Sequence, residues 1–200
     1  MSFVRDTWGR AEPAGYWRIE RSDVREPGNQ WAAATASRSL EAFAGLVAPL
    51  SIQFSTIAAD VPMVALDREG QSNTAFTAAI VEAIRSYPAP IYAVELYVET
   101  IAYVCTEASP DVPVRMAMEL DDFFRIAPPG ASREEAHASF TLEHTLFSRH
   151  NYEGDNRLLH MLNQPALETA LRAWEQAVGP IVEWSGAEGI YRYGFLEGTR

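Results

Sequence analysis

The stretch IYAVELYVETIAYVCT, residues 91–106, decides the fold. Tyr92, Val94, Leu96, Val98, Ala102 and Val104 fall on one side of an extended chain. Val112, Val114, Met116, Met118 and Leu120 repeat that spacing after a turn around Ser109-Pro110-Asp111. Side chains of a strand alternate between faces with period two, so the pattern predicts a long β-hairpin with one apolar face. The opposite face carries Glu95, Tyr97, Glu99, Arg115 and Glu119, joined by Tyr103 if no bulge falls near Glu99-Thr100. One buried and one open face is the habit of antiparallel sheets.

Working outward, residues 1–14 and the stretch from Ser22 to Gln30, with Pro27-Gly28-Asn29, read as irregular, and Tyr16 to Glu20 as a short strand between them. Leu40, Phe43, Val47 and Leu50 share a helical stripe within Ser39 to Leu50, and Ser51 to Ile57 then alternates as a strand. After a turn through Asp67 to Gly70, Asn73 or Thr74 caps a helix whose stripe is Phe76, Ile80, Ala83, Ile84 and Tyr87, and Pro88 and Pro90 end it. Pro128-Pro129-Gly130 is a loop, and Ser139 to Phe147 a strand with Phe140, Leu142, His144 and Leu146 on one side. A short helix is expected over Asp155 to Leu162 and a longer one over Gln164 to Val178, with Pro165 near its start and Gly179-Pro180 as its stop. Ile181 to Trp184 and Ile190 to Tyr193 look like a closing hairpin. Strands and helices without regular βαβ alternation predict one α+β domain over residues 1–200, mainly an antiparallel sheet with three to four helices packed on one face.

Composition removes whole classes of chemistry. All 16 basic residues are Arg and none is Lys, which excludes Schiff-base and PLP chemistry and the phosphate-binding lysines of P-loops and kinases. The net charge of −11 argues against nucleic acid and favours a basic protein partner. That charge is concentrated, because residues 95–143 hold ten carboxylates against three arginines. No apolar run approaches the ~20 residues that cross a bilayer. A single cysteine, Cys105, and a start without an apolar leader point to a reducing cytoplasm.

Three groups of residues are candidate sites. His137, His144, His150 and His160 lie near Glu134, Glu135, Glu143 and Asp155, but they recur at no ligand interval and no metal is expected. Asp121-Asp122 resembles a paired-carboxylate acid/base site, although neighbours on a strand point apart and capping explains the pair as well. Cys105 with a histidine and Asn156 or Asn163 has the residue types of a thiol nucleophile, yet an apolar strand suits a packed thiol better. The 12 glycines form no phosphate-cradling loop, so no cofactor is expected.

Of the aromatic residues, Trp17, Trp31, Trp174 and Trp184 read mostly as core. Tyr97 differs, being framed by Glu95 and Glu99 as interface tyrosines are. The expected function is a non-enzymatic, acidic binding or inhibitor protein, like the immunity proteins that neutralise a basic partner such as a bacterial toxin. Its partner-binding residues would be Glu95, Tyr97, Glu99, Arg115 and Glu119. The rival expectation is a hydrolase or transferase using carboxylates and histidines from residues 119–160, which requires Asp121, Asp122, Glu143 and His144 to converge in one pocket.

Overall fold

The computed structural model describes residues 10–22, 24–56, 62–106, 108–130, 135–151, 154–187 and 189–196. In chain order the elements are β1 (Arg10–Arg21), α1 (Gly28–Ala42), β2 (Val47–Ser55), β3 (Val64–Asp67), α2 (Asn73–Ser86), β4 (Ala93–Thr106), β5 (Ser109–Ala127) and β6 (Ala136–His144). The rest are β7 (His150–Asn151), β8 (Gly154–Asp155), α3 (Arg157–Ala177), β9 (Ile181–Gly186), β10 (Ile190–Tyr191) and β11 (Gly194–Phe195). Seven strands form one sheet in the order β3-β2-β4-β5-β6-β1-β9, and every pairing in it is antiparallel. The described residues therefore form an α+β fold with an antiparallel sheet and three helices. No helix among the described residues is long and apolar enough to cross a membrane.

The predicted hairpin is the centre of this sheet. Val94, Leu96, Val98, Ala102 and Val104 are buried, together with Phe124 and Ile126 of β5. On them sits an aromatic cluster: Phe43, just after α1, packs at 4.6 Å from Phe140 and 5.0 Å from Phe124, and Trp174 of α3 at 5.9 Å from Phe43. Edge-on and tilted rings at these separations add to the gain from burying their area. The strands turn at Ala108 and not at Ser109-Pro110-Asp111, so β5 is longer than predicted and its outer end is open. Val112 is 65% exposed, where the alternation implied a buried face. Tyr92 is exposed as well, before β4 begins.

Other boundaries differ for physical reasons. The first helix is α1 over Gly28–Ala42, not Ser39 to Leu50, because between Trp31 and Leu40 its buried face is built of small residues, Ala32, Ala33, Thr35, Ala36 and Ser39, which carry little hydrophobic periodicity. Asn29 at its start joins α1 to the turn after α2, its amide donating to Tyr87 O and Ala89 O while its carbonyl accepts from Ile91 N. β1 begins at Arg10, its pairing with β6 shifting register before Gly15. β2 starts at Val47, and the four residues of β3 were not foreseen. The α2 cap is Ser72, whose hydroxyl accepts from Ala75 N. α3 runs unbroken through Pro165, so the two expected helices are one. β6 ends at His144, leaving Leu146 and Phe147 buried in the following turn.

The expected terminal hairpin does not form. β9 pairs with β1 at the sheet edge, while Ile190–Tyr191 pairs with Gly194–Phe195. A stripe of α3 grips this small hairpin. Gln164 donates to Tyr193 O and accepts from Phe195 N, Glu175 accepts from the Tyr193 hydroxyl at 2.5 Å and from Arg192, and the Arg172 guanidinium lies 3.9 Å from the centre of the Tyr193 ring. Gly194, at φ +123°, is required here, since a Cβ would meet the Gln164 amide at 2.4 Å.

Candidate functional site

Phe43, just after α1, and Trp174 of α3 pack on the face bearing Phe124 and Phe140, and the other face of the sheet carries the predicted row. The five predicted residues all belong to it. Register places Glu99 opposite Glu119, Tyr103 opposite Arg115, and Tyr97 opposite Phe123. Glu95 accepts from Gln53 Nε2 at 2.8 Å and pairs with Arg125 at 3.3 Å. Glu99 is bound to Arg68 at 2.6 Å. Arg115 donates to Gly45 O at 2.6 Å across β4, and Glu119 is exposed.

Tyr97 is half-buried rather than exposed. Its ring packs tilted on Phe123 with centroids 5.8 Å apart, and its hydroxyl lies 3.5 Å from Glu95 and 3.4 Å from Gln53. Burial, then the Glu95 charge, pushes its phenol above the usual range. Held by Gln53, Arg125, Arg68 and Phe123, the Glu95–Tyr97–Glu99 row is ordered in advance of any partner, which lowers the entropic cost of binding.

Of the rival set, two residues meet. A bulge in β5, where Asp121 has φ +62°, turns Asp122 inward. Its carboxylate accepts from the Thr100 hydroxyl, from Glu143 N at 2.8 Å and from His144 Nε2 at 2.8 Å. Leu146 N donates to His144 Nδ1 at 3.3 Å, which assigns the ring proton to Nε2. Asp122 is 0% and His144 1% exposed, so the pair fastens β4, β5 and β6 to one another and is closed to a substrate. Asp121 stays at the surface and Glu143 is half-buried, so the four do not share a pocket.

The remaining candidates are separately engaged. His160 Nδ1 bonds Phe147 O at 2.7 Å, and His137 faces the open side of β6. Glu134 and the side chains of His150 and Asp155 lie outside the described residues. Among the described residues no three His, Cys, Asp or Glu side chains gather as metal ligands. Asn163 donates to Tyr103 O and accepts from Tyr103 N, and Asn156 donates to Thr145 O and Ser148 O, so both carboxamides complete backbone bonding. Cys105 is 6% exposed, and burial followed by the Asp111 charge pushes its thiol up.

Sequence reading missed a groove of about 350 Å³ on the same open face, centred on β6. Its residues come from β1, β5 and β6 and from the start of β4. Among them Arg18, Arg125 and Ser139 stand at spacings that carry no local signal, and only the strand register brings them together. Comparison with protein-family models, curated proteins and solved structures finds no match to this chain.

Proposed function

We propose that the chain is a non-enzymatic binding protein of the immunity-protein kind, which neutralises a basic protein partner such as a bacterial toxin through its open sheet face. The observation that carries this reading is the ordered row of Glu95, Tyr97 and Glu99, on the face opposite Phe43 and Trp174, in a chain of net charge −11. Glu119 extends the acidic row on β5, and Arg115 and Tyr103 border it. A net charge of −11 steers a cationic surface and raises its association rate, by one or more orders of magnitude at low salt. Tyr97 supplies the flat, half-apolar anchor at the centre of such contacts.

The test is capture from the native lysate with three baits: the wild type, the double variant Glu95→Arg/Glu99→Arg, and Tyr97→Ala. A basic protein retained by the wild type and lost from both variants supports the reading. A partner held equally by all three places the interface elsewhere and overturns it.

A further inference from the structure

On the open face, Ser139 of β6 stands directly between Arg18 of β1 and Arg125 of β5, and Thr141 directly between Tyr16 and Phe123. Neighbouring strands lie ~4.8 Å apart, so the two arginine backbones are about 10 Å from each other with one small residue between them. Ser139 and Thr141 are 4% and 6% exposed, and together with Ala93 and Ala127 they give the groove a low floor between high walls. Neither hydroxyl has a hydrogen-bond partner among the described residues, so each keeps a donor for whatever enters. His137 and Tyr92 close the lower end.

The arginines are anchored from outside. Arg18 meets Glu20 at 2.9 Å and Glu183 at 3.7 Å, and Arg125 meets Glu95 at 3.3 Å. A guanidinium carries five N–H donors in a rigid fork that suits oxyanions, and these carboxylates hold each fork in place. The volume falls within the few-hundred-Å³ range of small-ligand pockets, which combine apolar walls with a few convergent polar groups.

We propose that this groove binds a small molecule carrying an oxyanion, a carboxylate or a phosphate, on a flat apolar body. The oxyanion sits between Arg18 and Arg125 over the Ser139 hydroxyl, and the flat body lies between Tyr16 and Phe123 over Thr141. The ligand has the opposite charge to the partner proposed for the acidic row, and two members of that row touch the groove from outside, Glu95 through Arg125 and Tyr97 through Phe123.

The probes are phenyl phosphate, benzoate and, as a neutral control, benzyl alcohol, titrated into the full chain by calorimetry with amide chemical shifts recorded in parallel. At least one of the two anions binds at millimolar concentration or better and moves the amides of residues 16–18, 123–125 and 139–141, while benzyl alcohol binds about tenfold more weakly. Arg125→Ala, at a partly exposed position that leaves the fold intact, lowers affinity about tenfold or more, as loss of a charge-assisted bond does. Ser139→Leu fills the floor, keeps both charges and abolishes binding at unchanged helical content. Arg85→Ala on α2, an exposed arginine away from the groove, changes nothing. If neither anion moves those amides, or if Arg125→Ala and Arg85→Ala bind alike, the groove is no oxyanion site. Because none of these readouts involves a protein partner, this failure is separable from failure of the partner-binding reading.

Discussion

Asp122 Oδ2 and His144 Nε2 lie 2.8 Å apart with both side chains sealed from solvent, and the Asp122 carboxylate also takes Thr100 and the Glu143 amide. One buried carboxylate thereby serves three donors from two neighbouring strands at the point where β5 bulges. Removing the acceptor strands all three donors inside the protein. Asp122→Ala should therefore cost several kcal/mol, since each buried donor left without an acceptor costs about 1–3 kcal/mol. Thr100→Val, which removes one neutral donor and keeps the shape, should cost about 1 kcal/mol. Urea unfolding of the two variants checks the ordering, and an Asp122→Ala protein as stable as Thr100→Val would refute the account.

The acid limb of stability should run through the clamp on the terminal hairpin. Burial alone raises the Glu175 carboxyl, but the Tyr193 hydroxyl, the Ile181 amide and the Arg192 guanidinium outweigh it, and the net shift is downward from 4.5. A carboxyl whose folded value is depressed contributes stability above its unfolded value, and that contribution is lost as the pH falls through the folded one. Melting temperature should drop on acidification below about pH 4.5, and Glu175→Gln should flatten that slope while lowering stability at neutral pH. At the other end Tyr193 is raised, first by its bond to Glu175, and Tyr191 by burial and then Glu168. Their contribution is intact below pH 10 and fades above it. Tm across both limbs is the measurement, and parallel acid slopes for wild type and Glu175→Gln would sink the assignment.

Gly194 gives a local test of the same clamp. Its φ of +123° and the Gln164 amide 2.4 Å from any Cβ leave no room for a side chain. Gly194→Ala should cost about 1–3 kcal/mol through backbone strain and displacement of Gln164. The change should loosen β10–β11 first. Amide exchange at Phe195, bonded to Gln164 at 3.0 Å, should accelerate more than exchange in β4. Equal effects at the two places would mean that the hairpin is not held by α3.

How much of this was legible depended on the range of the contacts. The β4–β5 hairpin could be read because its partners are neighbours in sequence and its apolar residues alternate. α1 could not, since Ala32, Ala33 and Ser39 pack by being small and leave no stripe of large side chains. The glycines after Trp184 suggest a turn and a hairpin, yet β9 gains more by extending the sheet beside β1, a pairing that joins residues about 170 apart and that no local signal announces. The acidic face was visible for the same reason as the hairpin. The arginine groove was not, because Arg18, Arg125 and Ser139 meet only through the order of three strands. Asp122 was recognised as a candidate carboxylate, but its inward turn depends on a bulge that the alternation of Met116, Met118 and Leu120 does not reveal.

Tyr97 decides between recognition and packing on the open face. An exposed anchor is truncated at little cost to the fold, whereas this ring rests on Phe123 and its hydroxyl sits between Glu95 and Gln53. Tyr97→Ala should therefore lower stability by about 1–2 kcal/mol, within the ordinary range for losing a half-buried contact. Tyr97→Phe keeps the ring pair and should be nearly neutral. The double reversal Glu95→Arg/Glu99→Arg breaks two partly exposed ion pairs, each worth no more than about 1 kcal/mol. It also sets new guanidinium groups beside Arg125 and Arg68, so the fold should weaken modestly and remain two-state. Binding of a basic partner separates the variants further. The reversal should slow association and remove its salt dependence, Tyr97→Ala should mainly speed dissociation, and Tyr97→Phe should do neither. Melting temperature and association kinetics on the same proteins give the answer. If Tyr97→Ala loosens the fold while both rate constants stay at wild-type values, the tyrosine serves only the packing of Phe123, and the row it belongs to is not a recognition surface.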